Sequence, residues 1–226
     1  MLKDTNPKIA LISMRSDFIA SRKERRDSID ESIYKMIHDL GFTPLLIAND
    51  LIAVSNLLSK IDIHHIGLVV FSGGNDLTCL ENNQNSWEIR DEVEEMLLNI
   101  CIKNNLPILG ICRGLQFIAT KLGIKLEIIK GHINTIHKNK IINTDKYLDF
   151  NSFHSWGLKY TNNQKLINPI AICAFDQTIE AFYTNTNFHA ICLMWHPERA
   201  NGQYKFSIKI IKSFLSSYEK KEIINT

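Results

Sequence analysis

The chain has 226 residues, 45% of them hydrophobic and 22% charged, which is the content of an ordinary globular protein, and 26 basic against 24 acidic side chains leave a net charge of +2. So slight a charge provides no field for nucleic acid, and no apolar run approaches the ~18 residues of a membrane span, so a small molecule is the expected partner. Five cysteines, an odd number without a C-x-x-C pair, and a start that lacks a basic, then apolar leader predict a reducing compartment, the cytoplasm.

A domain of this length buries roughly 70% of its unfolded surface and needs no disulfide or metal to hold its core. Residues 1–226 are therefore expected to form a single domain. Lys8 to Ser13 is a near-continuous apolar run, as in strands buried on both faces of a parallel sheet. Arg15 stands at its end, followed by the charged stretch Arg22-Lys23-Glu24-Arg25-Arg26-Asp27. That stretch reads either as a ligand loop or as the solvated start of a helix. Ile29, Ile33, Met36, Ile37 and Leu40 then recur at helical spacing.

Pro44 to Ala48 and Gly67 to Phe71 read as further buried strands, with His64 and His65 on the loop before the second. Ser72-Gly73-Gly74-Asn75-Asp76 follows. Paired glycines let backbone N–H groups face a pocket, although an ordinary tight turn would read the same way. Val93, Met96, Leu97, Ile100 and Cys101 return to helical spacing, and Pro107 to Ile111 is a fourth strand. Strand and helix alternate, which predicts βαβ units: an open, mostly parallel sheet with helices on both faces.

Gly110-Ile-Cys112-Arg-Gly114 joins that strand to a helical period at Leu115, Ile118, Ala119 and Leu122. It has the form of a nucleophile elbow, with cysteine in place of serine. A thiol at a helix N-terminus meets unpaired N–H groups and the positive end of the helix dipole, both favouring thiolate. Taken alone, Cys112 reads first as a small buried apolar residue, as most free cysteines are.

Beyond Gly123 come shorter candidate strands, 125–129, 135–142, 171–175, 179–183 and 190–195, which predict a small antiparallel extension. His132 and His137 are expected at exposed strand positions there. The last strand ends in Trp195-His196-Pro197-Glu198, where proline stops the strand and lets the carboxylate curl back toward the imidazole. Beside a cysteine elbow, that is the base-and-orienter pair of a catalytic triad. The amides of the paired glycines and of Arg113, the residue after the cysteine, would supply the oxyanion hole. Cys79, Cys101, Cys173 and Cys192 read as packing residues, Trp156 as a pocket residue, and 203–218 as a final helix.

Ser72-Gly73-Gly74-Asn75-Asp76, Pro107 to Gln116, Asn151-Ser152-Phe153-His154 and Trp195 to Glu198 together resemble the class I glutamine amidotransferases, whose fold is flavodoxin-like. Within them the chain resembles the γ-glutamyl hydrolase branch, which includes γ-glutamyl-γ-aminobutyrate hydrolases. The resemblance implies that Cys112 attacks the γ-carbonyl, His196 protonates the leaving amine and Glu198 orients His196. It further implies that Gly74 supplies the glycine half of the oxyanion hole and that Gly73, Gln116, Ser152, Phe153 and His154 hold the glutamyl group. No metal or organic cofactor is implied.

Some relatives in sugar and capsule pathways cleave a γ-glutamyl phosphoramidate carried on cytidine diphosphate. Arginine suits bidentate contact with phosphate, which makes Arg15, Arg25 and Arg26 candidate substrate contacts. The other branch of the family feeds ammonia to a synthetase, so a glutaminase subunit with a synthetase partner is the alternative. A scaffold without turnover and a homodimer both stay open.

Overall fold

The structure, a computed structural model, describes residues 8–81, 85–161 and 164–225. β1 (Ile9–Ser13) is followed by a hairpin of β2 (Arg15–Ile19) and β3 (Glu24–Ser28), then by α1 (Ser32–Leu40), β4 (Thr43–Ile47) and α2 (Leu51–Leu58). β5 (Ile66–Phe71), α3 (Glu88–Asn104), β6 (Ile108–Ile111) and α4 (Arg113–Lys121) continue the alternation. Seven strands come next: β7 (Glu127–Ile128), β8 (Thr135–Ile141), β9 (Tyr147–Ser152), β10 (Trp156–Gly157), β11 (Ile167–Cys173), β12 (Ile179–Thr184) and β13 (Ala190–Leu193). The last helix is α5 (Tyr204–Asn225).

Nine strands form one sheet in the order β4-β1-β5-β6-β13-β12-β11-β8-β9. The first five are parallel, and β12, β11, β8 and β9 continue the sheet antiparallel. The antiparallel part is thus four strands of the main sheet. One strand expected within it moves: β13 pairs parallel with β6, Leu193 opposite Ile111. That return to the parallel half delivers the chain after Leu193 to the same sheet edge as the chain after Ile111.

Period-two burial sorts the strand residues onto two cores. Leu11, Val69, Phe71, Ile108 and Cys192 face one side, where Val54 of α2, Val93 and Leu97 of α3 and Leu115 and Ile118 of α4 cover them. Ala10, Ile12, Leu68, Val70, Leu109 and Ile111 face the other, under Ile33, Met36 and Ile37 of α1 and Ile211 of α5. Helices on both faces are what the apolar runs predict.

The basic stretch departs from both of its readings. It forms the antiparallel hairpin β2–β3, with Asp17 opposite Arg26 and Phe18 opposite Arg25. Cross-strand pairing and opposite charges stabilise strands that have no apolar alternation. Asn75 holds this hairpin to the end of β5: its Oδ1 accepts from Ser16 N at 2.8 Å and its Nδ2 donates to Ser16 O at 2.8 Å. α2 is also absent from the sequence reading, and the strand expected at 125–129 shrinks to β7, paired only with β10. His132 and His137, expected at exposed positions, are buried; β8 turns His137 and Asn139 inward while Lys138 and Lys140 point out, and His132 lies on the loop before it. Cys79 is exposed rather than packed.

Candidate active site

Three neighbouring parallel strands, β5, β6 and β13, end on one edge of the sheet, and each hands the chain to a polar segment there. After β6, Cys112 adopts φ 51° and ψ −102°, outside the regions that side-chain-bearing residues favour, and caps α4. A strained backbone at a helix start is what a nucleophile elbow requires. Gly110 and Gly114 permit it. A Cβ at Gly110 would come within 2.9 Å of the Gly114 carbonyl, and one at Gly114 would run into the Phe71 backbone. Arg113 is the first residue of α4, so its amide has no partner within the helix.

After β5, Gly73 and Gly74 sit against the same centre. A Cβ on Gly73 would lie 2.5 Å from His196 Cε1 and 3.5 Å from Cys112 Cβ. Gly74 has φ +79°. Beneath this loop lies Arg90 of α3, fully buried. It donates to the carbonyls of Ser72 (2.7 Å), Gly73 (3.1 Å) and Gly74 (2.5 Å) and to Asn75 Oδ1 (3.0 Å). In a trans peptide the N–H points opposite to the preceding carbonyl. By holding the Gly73 carbonyl, Arg90 therefore turns the Gly74 N–H away from itself.

Glu94, one turn along α3, balances this buried charge. It pairs with Arg90 at 3.1 Å, accepts from Ser13 Oγ at 2.8 Å, and meets the Arg113 guanidinium, which also pairs with Asp91. Burial alone would raise the Glu94 carboxyl, but Arg113 and Arg90 hold it below the usual carboxylate range. Arg113, expected to serve through its backbone, thus also braces the floor with its side chain. Arg90 and Glu94 went unrecognised in the sequence, where an i,i+4 Arg–Glu pair reads as a solvated helix face.

After β13, His196 accepts its place from Asn151 of β9: His196 N donates to Asn151 Oδ1 at 2.8 Å, and Asn151 Nδ2 donates to the His196 and Ala200 carbonyls, each at 2.9 Å. His196 Nδ1 lies 2.7 Å from Glu198 Oε1, and its ring and the Cys112 side chain both lie against Gly73. Burial pushes the imidazole pKa down, but the neighbouring Cys112 and Glu198 together outweigh it and raise the value to about 9. The structure thus pairs His196 with Glu198 and sets Cys112 against the same glycine that His196 faces.

A cavity of about 230 Å³ opens over them, lined among others by Arg15, Gly74, Gln116, Phe153, Trp156 and Arg199. Arg15 packs against Gly74 and pairs with Asp17 at 2.7 Å. Gln116 donates to Trp156 O at 3.0 Å. Phe153 sets its ring edge-on to His196, centroids 5.6 Å apart.

Three expected contacts lie elsewhere. Arg26 pairs with Glu24 on the exposed side of the hairpin, because Asp17 is already taken by Arg15 and Ser28. Arg25 stacks on Trp87 at 3.7 Å instead of lining the cavity. Ser152 is fully buried and donates to His132 O at 2.7 Å. His154 does reach the cavity wall, yet both ring nitrogens are occupied, Nδ1 by Trp156 O at 2.9 Å and Nε2 by His132 Nδ1 at 3.1 Å. Behind it lie His137 and Glu180, and one donor atom from each of His132, His137, His154 and Glu180 falls within 4.8 Å of the others. The sequence assigned these four no common role.

A mixed sheet with a cysteine at the end of a central parallel strand is the architecture of the class I glutamine amidotransferase domains. A glutamine amidotransferase from Thermotoga maritima shares it with a TM-score of 0.59 over 96% of this chain and 86% of its own, at 15% identity, a likeness of fold alone. The Peptidase C26 family description matches residues 9–147, and the chain belongs to that family. The γ-glutamyl-CDP-amidate hydrolase of Campylobacter jejuni is 35% identical over 155 residues, 68% of this chain and 72% of that protein. The glutamine-hydrolysing GMP synthase of Petrotoga mobilis is 30% identical over 187 residues, 80% of this chain but only 32% of the synthase. No helix among the described residues is long and apolar enough to cross a membrane.

Proposed function

We propose that this chain hydrolyses a γ-glutamyl amide through a thioester on Cys112, and that the leaving group is linked to a nucleotide phosphate. The observation that carries the reaction is the place of His196, 2.7 Å from Glu198 on one side and, on the other, facing the same Gly73 position as Cys112. In the first half-reaction the Cys112 sulfur bonds to the γ-carbonyl carbon, and the amides of Gly74 and Arg113 receive the developing oxyanion. Collapse breaks the C–N bond while His196 donates its proton to the departing nitrogen. With a pKa of about 9, His196 holds that proton at neutral pH.

In the second half-reaction His196 takes a proton from water, the oxygen attacks the thioester, and the C–S bond breaks to release glutamate. Glu198 keeps the Nδ1 proton and the ring orientation throughout. Both halves reuse one oxyanion site.

For the leaving group, the likeness to the Campylobacter hydrolase and the place of Arg15 in the cavity wall favour a phosphoramidate. The likeness to a GMP synthase favours a second reading, a glutaminase serving a synthetase. Glutamate release from γ-glutamyl-CDP-amidate, γ-glutamyl-γ-aminobutyrate and glutamine, with Cys112→Ala as control, separates the two. Cysteine-dependent release that is fastest with the nucleotide substrate is expected. Release from glutamine only when a synthetase is added would favour the second reading, and no release above the control would leave a scaffold without turnover.

A further inference from the structure

The antiparallel half contains a cluster that the proposed hydrolysis does not use. His132 lies on the loop before β8, His137 on β8, His154 after β9 and Glu180 on β12, and all four are buried. Ring centroids of His132 lie 4.4 Å from those of His137 and 4.7 Å from those of His154. Three imidazoles and a carboxylate therefore share one interior space.

The ring nitrogens turned outward from this space each face an oxygen. His137 Nδ1 lies 2.7 Å from Asn139 Oδ1, and His154 Nδ1 lies 2.9 Å from the Trp156 carbonyl. His132 Nε2 lies 3.4 Å from Asp176 Oδ2. A carbonyl can only accept, so His154 carries its proton on Nδ1, and Asn139 Oδ1 places that of His137 likewise. In the neutral rings this leaves the Nε2 lone pairs of His137 and His154 directed inward; a proton on His132 Nδ1 can serve that of His154 but not that of His137, which faces an anionic carboxylate. Lone pairs facing a carboxylate in a dry interior repel unless a positive charge sits among them.

The inward distances say which positive charge fits. His132 Nδ1 to Glu180 Oε1 is 3.3 Å, His154 Nε2 to Glu180 Oε1 is 3.6 Å, His137 Nε2 to Glu180 Oε1 is 3.8 Å, and His132 Nδ1 to His154 Nε2 is 3.1 Å. Neither Glu180 oxygen, nor Nε2 of His132 or His137, makes a geometrically sound hydrogen bond. A tetrahedron with metal–ligand bonds of about 2.0–2.1 Å has edges of about 3.3 Å. The four measured edges scatter around that value. Outward partners such as those of His137 and His154 are also the usual second layer of a zinc site.

We infer that His132 Nδ1, His137 Nε2, His154 Nε2 and Glu180 Oε1 form a closed, four-coordinate site for a divalent cation of the zinc class. Four protein ligands leave no open position, which makes the role structural rather than catalytic. The site would tie β8, β12 and the His132 loop to the segment 153–156, which forms one wall of the cavity. A neighbouring group, His132 with Cys173 and Asp176, is the poorer candidate because the Lys159 ammonium already sits 2.6 Å from Asp176 Oδ2.

The test is cobalt and zinc binding to the full-length chain, stripped with a chelator, in the Cys112→Ala background so that the thiol cannot contribute. One Co²⁺ per chain is expected, with the intense visible absorption of tetrahedral coordination, displaced by one equivalent of Zn²⁺. X-ray absorption at the zinc edge should show only nitrogen and oxygen neighbours with imidazole scattering. His137→Gln should abolish the cobalt band, and Asn139→Ala should weaken binding by about 10- to 100-fold. The edge spectrum needs no variant at the site, so it decides the matter even if His137→Gln fails to fold. Absence of stoichiometric binding, a sulfur neighbour, or an unchanged band in folded His137→Gln would overturn the assignment, whether or not the chain hydrolyses any substrate.

Discussion

The two halves of the sheet spend their polar residues differently. In the parallel half, Cys112, His196 and the Gly73-Gly74 loop sit at strand ends, where the backbone stops pairing and its amides can serve a ligand. In the antiparallel half, His137 and Glu180 sit within strands, facing inward. Chemistry at strand ends faces a cavity; polar groups turned inward within strands are enclosed by the core. The parallel half should therefore govern turnover, and the antiparallel half stability.

The largest expected effect tests the first part of that division. Cys112→Ala should reduce glutamate release on the order of 10⁴-fold or more. Its unfolding midpoint in urea should stay close to that of the wild type, because a buried thiol is replaced by a side chain of similar bulk. Loss of turnover with a much lower midpoint would mean that the elbow is part of the core.

Arg90 should break the division, since it serves both turnover and stability. Arg90→Ala leaves Glu94 buried beside a single guanidinium and frees the carbonyls of Ser72, Gly73 and Gly74. Breaking a buried ion pair from one side costs about 3–5 kcal/mol, which urea unfolding reads directly. Turnover should fall as well, because the Gly74 amide loses its fixed direction. A full loss of stability with unchanged kcat would show that the loop holds itself.

How much of this was legible follows from where each signal lies in the chain. The elbow could be read because Gly110, Cys112 and Gly114 fall within five residues at one strand-to-helix junction, and His196-Pro197-Glu198 is similarly local. Arg90 and Glu94 could not, because their burial depends on the loop from a different strand that folds over them. The histidine cluster spans positions 132 to 180 and is assembled only by strand pairing, so no spacing rule exposes it. α2 was missed because Leu51 to Leu58 is apolar around most of its circumference. Its one local mark is Asp50, whose side chain caps it by accepting from Ala53 N at 2.8 Å. The β2–β3 hairpin was missed because Glu24 to Asp27 is exposed throughout. Exposed charged strands carry no hydrophobic alternation to read.

His196 links the halves, because Asn151 of β9 holds its backbone. Its pKa is raised in the folded chain to about 9 from an ordinary value of 6.5. A raised value means that the contribution is fully present below about pH 6.5 and is lost as pH climbs through about 9. The stability advantage of the wild type over His196→Gln should accordingly be level below pH 6.5 and shrink across that window. An NMR titration of the ring should give a midpoint near 9. A midpoint near 6.5 would mean that the Cys112 and Glu198 contacts do not hold the charge, and the proton-donor role would lose its support.

The smallest effects test the hairpin, where two arginines of similar chemistry stand in different places. Arg15 lines the cavity beside Gly74, whereas Arg26 faces solvent and pairs with Glu24. If the leaving group carries phosphate, Arg15→Ala should raise KM for the nucleotide-linked substrate by about tenfold, the loss of one charge-assisted contact, while leaving glutamine turnover within about twofold. Arg26→Ala should change neither. Because Arg15 already has Asp17 as a partner at 2.7 Å, substrate phosphate must compete with that carboxylate. Asp17→Asn should then lower KM for the nucleotide substrate. Equal effects of Arg15→Ala on both substrates would instead assign Arg15 to shaping the Gly74 loop, and phosphate recognition would have to come from another part of the cavity.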